Sequence, residues 1–123
     1  MFEATIEETF AAGHALRNYH GKCENPHGHN YRCELTVRGE QLDEAGLLAD
    51  FVELKKTLHA VLDRLDHQWL NDLAPFDVLN PSAENMARHI YQEVRDRMMD
   101  KPRVRVASVR LWETDTASAI YFP

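Results

Sequence analysis

Apolar and polar residues alternate along the start of the chain, as they do in a strand with one buried face. Within residues 2–10 the apolar side chains share one parity: Phe2, Ala4, Ile6 and Phe10. Residues 31–38 show the same alternation, with Tyr31 and Cys33 on their apolar side. The pattern predicts two half-buried strands. We expect them to pair as a long antiparallel hairpin, with residues 15–26 as a wide connection.

Two later stretches repeat apolar residues at helical spacing. Asp50 with Glu53 is typical of a helix N-cap and its reciprocal partner. The first apolar stripe comprises Phe51, Leu54, Leu58, Val61, Leu62 and Leu65. The second comprises Ala83, Met86, Ala87, Ile90, Tyr91, Val94 and Met98. The sequence therefore predicts two amphipathic helices, separated by a loop that contains Pro75 and Pro81.

The remaining segments, 103–112 and 118–122, predict two final strands. The order is β-β-α-α-β-β, so we expect one α+β domain over residues 1–123, with a four-stranded antiparallel sheet and both helices on one face. An open sheet of this kind has two unpaired edges. Joining those edges between subunits would cover them, and we therefore expect a homo-oligomer.

Charge and hydropathy limit the classes of partner that we expect. A net charge of -6 at pH 7 argues against nucleic acid. No apolar run approaches the ~18 residues of a membrane helix, and the first residues do not resemble a secretory signal. We expect a cytoplasmic protein with free thiols at Cys23 and Cys33, and no membrane partner. Arg17, His20 and Lys22 could form a local phosphate site, or simply a solvated loop.

Three histidines are placed to share one metal ion. His27 and His29 are two residues apart, so on a strand their side chains point to the same face, and Gly28 leaves space between them. His14 ends the first strand, which in a hairpin lies beside the start of the second. Three neutral imidazoles suit Zn²⁺ and leave a fourth position for water or substrate. The alternative is that these histidines are packed or on the surface.

Three further sites carry candidate chemistry. Cys23 could be a fourth zinc ligand, a reactive thiol beside the metal, or a loop residue without a role. In Asp66-His67 the carboxylate could orient the imidazole if the helix has already ended; otherwise the pair is a charged helix end. Glu113, on the apolar parity of its strand, needs a cation or a pair of donors. A pterin offers such a pair on its guanidine-like edge, and an arginine is the alternative.

Several segments together resemble the 6-pyruvoyl-tetrahydropterin synthase and 6-carboxytetrahydropterin synthase family. They span nearly the whole chain in the family's order. The matching segments are Phe10-Ala11-Ala12-Gly13-His14, Gly21-Lys22-Cys23, His27-Gly28-His29-Asn30-Tyr31, Asp50-Phe51 with Leu54-Lys55, Leu65-Asp66-His67 with Leu70-Asn71, Pro81-Ser82-Ala83-Glu84-Asn85 and Trp112-Glu113-Thr114. Two positions depart from the family pattern, which often has alanine at Gly13 and threonine at Ser82.

The resemblance implies the tunnelling fold, in which the sheets of several subunits join into a barrel, as a trimer or a pair of trimers, with active sites at subunit interfaces. It implies that the three ligands of a catalytic zinc are His14, His27 and His29. The substrate that the resemblance implies is 7,8-dihydroneopterin triphosphate, whose side-chain hydroxyls the zinc would bind and acidify.

The resemblance also implies roles for the other candidates. Cys23 would be the general base or acid at the substrate side chain, assisted by His67 and Asp66, and Glu113 would anchor the pterin ring. Three residues separate Cys23 from His27, a short gap that looks like the carboxy-forming, bacterial branch of queuosine synthesis. That branch releases acetaldehyde and triphosphate. A pyruvoyl-forming synthase and a non-catalytic zinc module closed by Cys23 stay as alternatives.

Overall fold

The computed structural model describes residues 1–123 and contains five strands and two helices. In chain order they are β1 (Phe2–His14), β2 (His27–Gly39), α1 (Phe51–Asp63), β3 (Gln68–Trp69), α2 (Ala83–Arg97), β4 (Arg105–Thr114) and β5 (Ala117–Tyr121). The sheet has the order β3-β1-β2-β4-β5. The predicted α+β fold with two helices and four long strands is confirmed. The two-residue β3, which pairs in parallel with β1, was not predicted from the sequence.

The hairpin of β1 and β2 has an unbroken antiparallel register. It runs from Phe2 opposite Gly39 to His14 opposite His27. The one irregularity of β2 lies in its pairing with β4, between Thr36 and Val37, far from the histidine end. Because no bulge interrupts β1 and β2, parity is preserved along the hairpin, and both strands turn the same apolar face to the helices.

The helices cover the apolar face of the sheet, and a core of 25 buried residues fills the space between them. Leu58 on α1, Ile90 on α2 and Tyr31 on β2 are each fully buried there. Burial of a side chain of this size contributes about 1.5–3 kcal/mol. Phe51, which the sequence placed in the stripe of α1, is the first residue of the helix and is 55% exposed.

Side-chain caps begin both helices. Asp50 accepts a hydrogen bond from the Val52 backbone N–H at 2.8 Å, and Ser82 accepts one from the Asn85 N–H at 3.2 Å. Each cap satisfies a backbone donor that the helix leaves free. The reciprocal bond expected from Glu53 is absent, so Asp50 caps α1 alone.

The other face of the sheet is charged. Arg32 pairs with Glu7 at 3.2 Å, and Glu34 accepts a hydrogen bond from the Trp112 indole N–H at 2.9 Å. Neither helix is long and apolar enough to cross a lipid bilayer. One edge of the sheet is β5, and β3 covers the opposite edge only beside Ala12 and Gly13.

Candidate metal centre and active site

Three imidazoles meet at the end of the β1–β2 hairpin. The ring centroid of His14 lies 4.5 Å from that of His27 and 5.1 Å from that of His29, and the latter two are 4.8 Å apart. One ligand atom from each ring and one from Glu113 all lie within 4.8 Å of one another. The strand register explains the convergence, because His14 stands opposite His27 and His29 is two residues further along β2.

Backbone carbonyls fix the orientation of two of these rings. Nδ1 of His14 donates to the carbonyl oxygen of Pro81, and Nδ1 of His27 donates to that of Asn25, both at 2.7 Å. In a neutral imidazole the other nitrogen then carries a lone pair. The two Nε2 atoms lie 2.9 Å apart, so two lone pairs face each other unless a proton or a metal ion lies between them. Carbonyl-bound histidines of this kind are typical of metal ligands.

The third ring supplies a further free nitrogen. Nε2 of His29 is buried and has no hydrogen-bond partner, although it lies 3.1 Å from Oε1 of Glu113; the contact has the distance of an ion pair without the angle of a hydrogen bond. Burial lowers the pKa of both His14 and His29, which favours the neutral form that binds metals. Three nitrogens and a carboxylate oxygen around one point fit a divalent cation such as Zn²⁺.

Glu113 reaches this point from the end of β4. The arginine partner considered from the sequence is absent, since no arginine lies within ion-pair distance of this carboxylate, whose close contact is Nε2 of His29. Glu113 also lines a cavity of about 480 Å³ with Glu84 and Ser118, beside the first turn of α2. The carboxylate therefore lies between the three imidazoles and a space large enough for a bicyclic ligand.

Tyr31 packs next to His14 in the core. Its ring stacks on Phe10 at a centroid distance of 4.9 Å and its hydroxyl oxygen lies 3.4 Å from Nδ1 of His14. Burial raises the pKa of Tyr31, so the phenol stays neutral. The sequence placed Tyr31 in the core but contained no signal for its contact with a candidate ligand.

Cys23 lies in the connection between β1 and β2 and is not part of the histidine group. It belongs to a 3-10 turn, Lys22–Glu24, and its side chain is half-buried. The thiol is not among the ligand atoms gathered around the imidazoles, where Glu113 takes the fourth place. The geometry therefore weakens the alternative in which Cys23 closes the metal site. Cys33, by contrast, is fully buried, as its parity predicted.

Asp66 and His67 lie after the end of α1, where neighbouring side chains are free to approach each other. His67 has a left-handed backbone with φ of 58°, and its Nδ1 lies 2.9 Å from Oδ1 of Asp66. The same carboxylate oxygen accepts a hydrogen bond from the Ala11 N–H at 2.9 Å, while the His67 N–H donates to the Ala11 carbonyl at 2.6 Å. The pair is thus fastened to the edge of β1.

The carboxylate of this pair stays charged. The hydrogen bond from the Ala11 N–H, followed by that from His67, lowers the pKa of Asp66. The His67 side chain is 80% exposed, and it lines an open cavity of about 390 Å³ together with His29 and Gly28. An oriented imidazole that is open to solvent is available to a ligand or to another subunit.

Arg17, one of the three residues considered from the sequence as a phosphate site, is engaged in other contacts. The Arg17 guanidinium donates to the carbonyl oxygens of Phe76 at 2.8 Å and Leu79 at 3.2 Å, so it holds a loop together. His20 and Lys22 are exposed.

The carbonyls of Pro81 and Asn25, which orient His14 and His27, were not predicted from the sequence, because a backbone acceptor is not marked by any residue type.

The chain also matches known proteins along its length. Residues 3–123 match the family model described as 6-pyruvoyl tetrahydropterin synthase. A 6-carboxy-5,6,7,8-tetrahydropterin synthase of Bacillus subtilis is 35% identical, over 99% of this chain and 86% of the relative. A 6-pyruvoyl tetrahydrobiopterin synthase of Poecilia reticulata is 32% identical, over 95% of this chain and 87% of the relative.

A solved structure has the same fold. The 6-pyruvoyl tetrahydropterin synthase of Caenorhabditis elegans superimposes with a TM-score of 0.85, at 29% identity, over 100% of this chain and 97% of that chain. Relatives with carboxy and pyruvoyl names are thus similar to this chain to nearly the same degree, and identity alone does not separate the two reactions.

Proposed function

Because the chain belongs to the 6-pyruvoyl tetrahydropterin synthase family, we propose that it is a zinc-dependent lyase acting on 7,8-dihydroneopterin triphosphate. The product we propose is 6-carboxy-5,6,7,8-tetrahydropterin, with release of acetaldehyde and triphosphate, a step of queuosine synthesis. The observation that carries the proposal is the convergence of three imidazoles and Glu113 on one point. The short gap between Cys23 and His27 and the names of several relatives support the carboxy branch.

The metal would be held by Nε2 of His14, His27 and His29, with the carbonyls of Pro81 and Asn25 keeping two of the rings in the binding tautomer. A bound zinc ion supplies Lewis acidity that lowers the pKa of a coordinated hydroxyl group. His14 is buried, so one side of the site is shielded from water, which strengthens the electrostatic interactions there.

Proton transfer at the substrate side chain is assigned to Cys23 and His67. Asp66 orients the His67 ring and accepts its Nδ1–H, which leaves Nε2 to act as the base. Cys23 is half-buried in a turn that also supplies the carbonyl of Asn25 to His27. The thiolate form of Cys23 would accept a proton from a substrate carbon or hydroxyl, and the thiol so formed would return that proton later.

Glu113 would bind the pterin ring in the 480 Å³ cavity beside α2. Its two carboxylate oxygens match the two N–H donors on the guanidine-like edge of a pterin. The contact with His29 at 3.1 Å would place the ring next to the metal ligands, so that the pterin side chain reaches the zinc position.

We also propose a homo-oligomer, a trimer or a pair of trimers. The outer edge of β5 has no partner within the chain, and β3 covers β1 only beside Ala12 and Gly13. Joining these edges between subunits would satisfy their backbone groups. The exposed imidazole of His67 is then available to a site on a neighbouring subunit.

A Cys23→Ala variant with Cys33→Ala as its control tests the function. We expect Cys23→Ala to keep about one zinc per chain and to lose at least ~100-fold in turnover of dihydroneopterin triphosphate. Cys33→Ala removes a buried thiol instead and should retain turnover despite some loss of stability.

Mass analysis of the products should detect acetaldehyde with the wild-type protein. Its absence, with elimination of triphosphate alone, would assign the pyruvoyl branch, and loss of zinc from Cys23→Ala would favour the non-catalytic module.

A further inference from the structure

Two asparagine side chains extend the hydrogen-bond ladder of β1 beyond its last residue. Asn71 accepts from the Ala15 N–H at 2.9 Å and donates to the Ala15 carbonyl at 2.8 Å. Asn80 forms the same pair of bonds with Arg17, at 2.7 and 2.8 Å. A residue that exchanges both bonds with one partner is the unit of an antiparallel ladder. The two amides therefore substitute for a strand along residues 15–17.

Leu16, between Ala15 and Arg17, forms its backbone hydrogen bond on the opposite edge of the segment. Leu16 donates its backbone N–H to the carbonyl oxygen of Cys23 at 2.8 Å. In an extended segment, successive backbone groups alternate in direction, so bonds on one edge belong to Ala15 and Arg17 and the bond on the opposite edge belongs to Leu16. The segment is thus held between two asparagines on one side and the Cys23 turn on the other.

The asparagines are themselves held by well-packed parts of the molecule. Asn71 follows Leu70, which is fully buried, and the Asn80 carbonyl accepts from the Asn85 side chain, on the first turn of α2, at 3.0 Å. The Arg17 guanidinium returns to the carbonyl of Phe76, another fully buried residue. The position of residues 15–17 is therefore determined by the core and by α2, and the wide connection that carries Cys23 takes its position from them.

We propose that Asn71 and Asn80 are positioning residues for the Cys23 thiol, acting through the backbone of residues 15–17. The inference rests on the proposed function in taking Cys23 as the proton-transfer group. Displacement of a reacting group by about 1 Å can cost ~100-fold in rate, so two amides that fix the backbone beside it affect turnover without touching the substrate.

Asn71→Asp and Asn80→Asp test this directly, because each keeps an oxygen for the backbone N–H but presents a second oxygen to the backbone carbonyl. Asn18→Asp is the matched control, an exposed residue of the same connection whose side chain makes no hydrogen bond in the structure. The measurements on zinc-loaded protein are zinc content, the rate of Cys23 alkylation by iodoacetamide at one pH, and steady-state kcat and KM. The buried Cys33 reports any general opening of the fold.

We expect both variants to keep their zinc, Cys23 to be alkylated at least ~3-fold faster, and kcat to fall at least ~10-fold with KM changed less than ~3-fold. Cys33 should stay unreactive, and Asn18→Asp should match the wild type. The inference is overturned if Cys23 alkylation in both variants stays within ~2-fold of Asn18→Asp, whatever happens to kcat.

Reaction of Cys33 in the aspartate variants would indicate general loosening. Asn71→Ser and Asn80→Ser, which remove the same bonds without adding charge, are then judged by the same criteria. Opening of Cys33 in these as well would show a purely structural role and overturn the inference. Failure of the proposed function is separate: it would appear as absent turnover in the wild-type protein, whereas alkylation of Cys23 would still report its position.

Discussion

Nε2 of His14 lies 2.9 Å from Nε2 of His27, and in each ring the opposite nitrogen donates to a backbone carbonyl. The two lone pairs facing each other need a cation between them. Removal of the metal by a chelator should therefore lower the melting temperature, and added Zn²⁺ should restore it, since a ligand present at 1,000 times its Kd stabilises by about 4 kcal/mol.

A His27→Ala variant tests the same relationship from the protein side. We expect its zinc content, measured by atomic emission, to fall below ~0.2 per chain, because two imidazoles bind zinc more weakly than three. His20→Ala is the control, an exposed histidine in the adjoining connection. Full zinc occupancy in His27→Ala would show that the converging rings are not the metal site.

Glu113 can be tested as a ring anchor or as a metal ligand by changing it to glutamine. The amide keeps the size of the side chain but loses the charge and one of the two acceptors that face the pterin. We expect KM for dihydroneopterin triphosphate to rise at least ~10-fold with zinc content unchanged. If zinc is lost instead, Glu113 binds the metal and the ring anchor must be sought elsewhere. Glu84→Gln, in the same cavity, is the matched control.

Asp66 contributes to stability at neutral pH, and this contribution is lost in acid. The hydrogen bond from the Ala11 N–H, followed by that from His67, lowers its pKa in the folded protein below the ordinary value of about 3.9. Its contribution is therefore present above the unfolded pKa and is lost as the pH falls through the folded pKa. We expect urea unfolding to show Asp66→Asn less stable than the wild type at neutral pH, and this difference to shrink in acid. A constant difference, or a normal Asp66 pKa by NMR titration, would contradict it.

Gly13 and Trp69 should be energetically coupled. A Cβ at residue 13 would lie 3.1 Å from the Trp69 ring, closer than an ordinary contact. We expect Gly13→Ala to be less favourable in the wild type than in Trp69→Leu, by about 1 kcal/mol in a double-mutant cycle of unfolding free energies. Independent effects of the two changes would show that the ring moves aside without cost. Gly28→Ala, where the nearest backbone atom is 3.5 Å away, is a control for added bulk in the hairpin.

Local patterns predicted most of the secondary structure. Parity along β1 and β2 placed the core residues correctly, because the two strands pair with each other without a bulge. The cap at Asp50 was identifiable because it depends on neighbours within three residues. The short β3 escaped prediction, since two residues have no detectable period and their pairing with β1 depends on how α1 ends.

The convergence of His14, His27 and His29 was determined by the sequence itself, because alternation and hairpin pairing are local properties that bring strand ends together in any protein with this pattern. Only the tertiary structure decided that Glu113 completes the group, that the Pro81 carbonyl orients His14, and that Asn71 and Asn80 hold the segment beside Cys23. These contacts join residues far apart in the chain, and packing of the helices on the sheet places them. No sequence pattern identifies which residue a side-chain amide or a backbone carbonyl will bind.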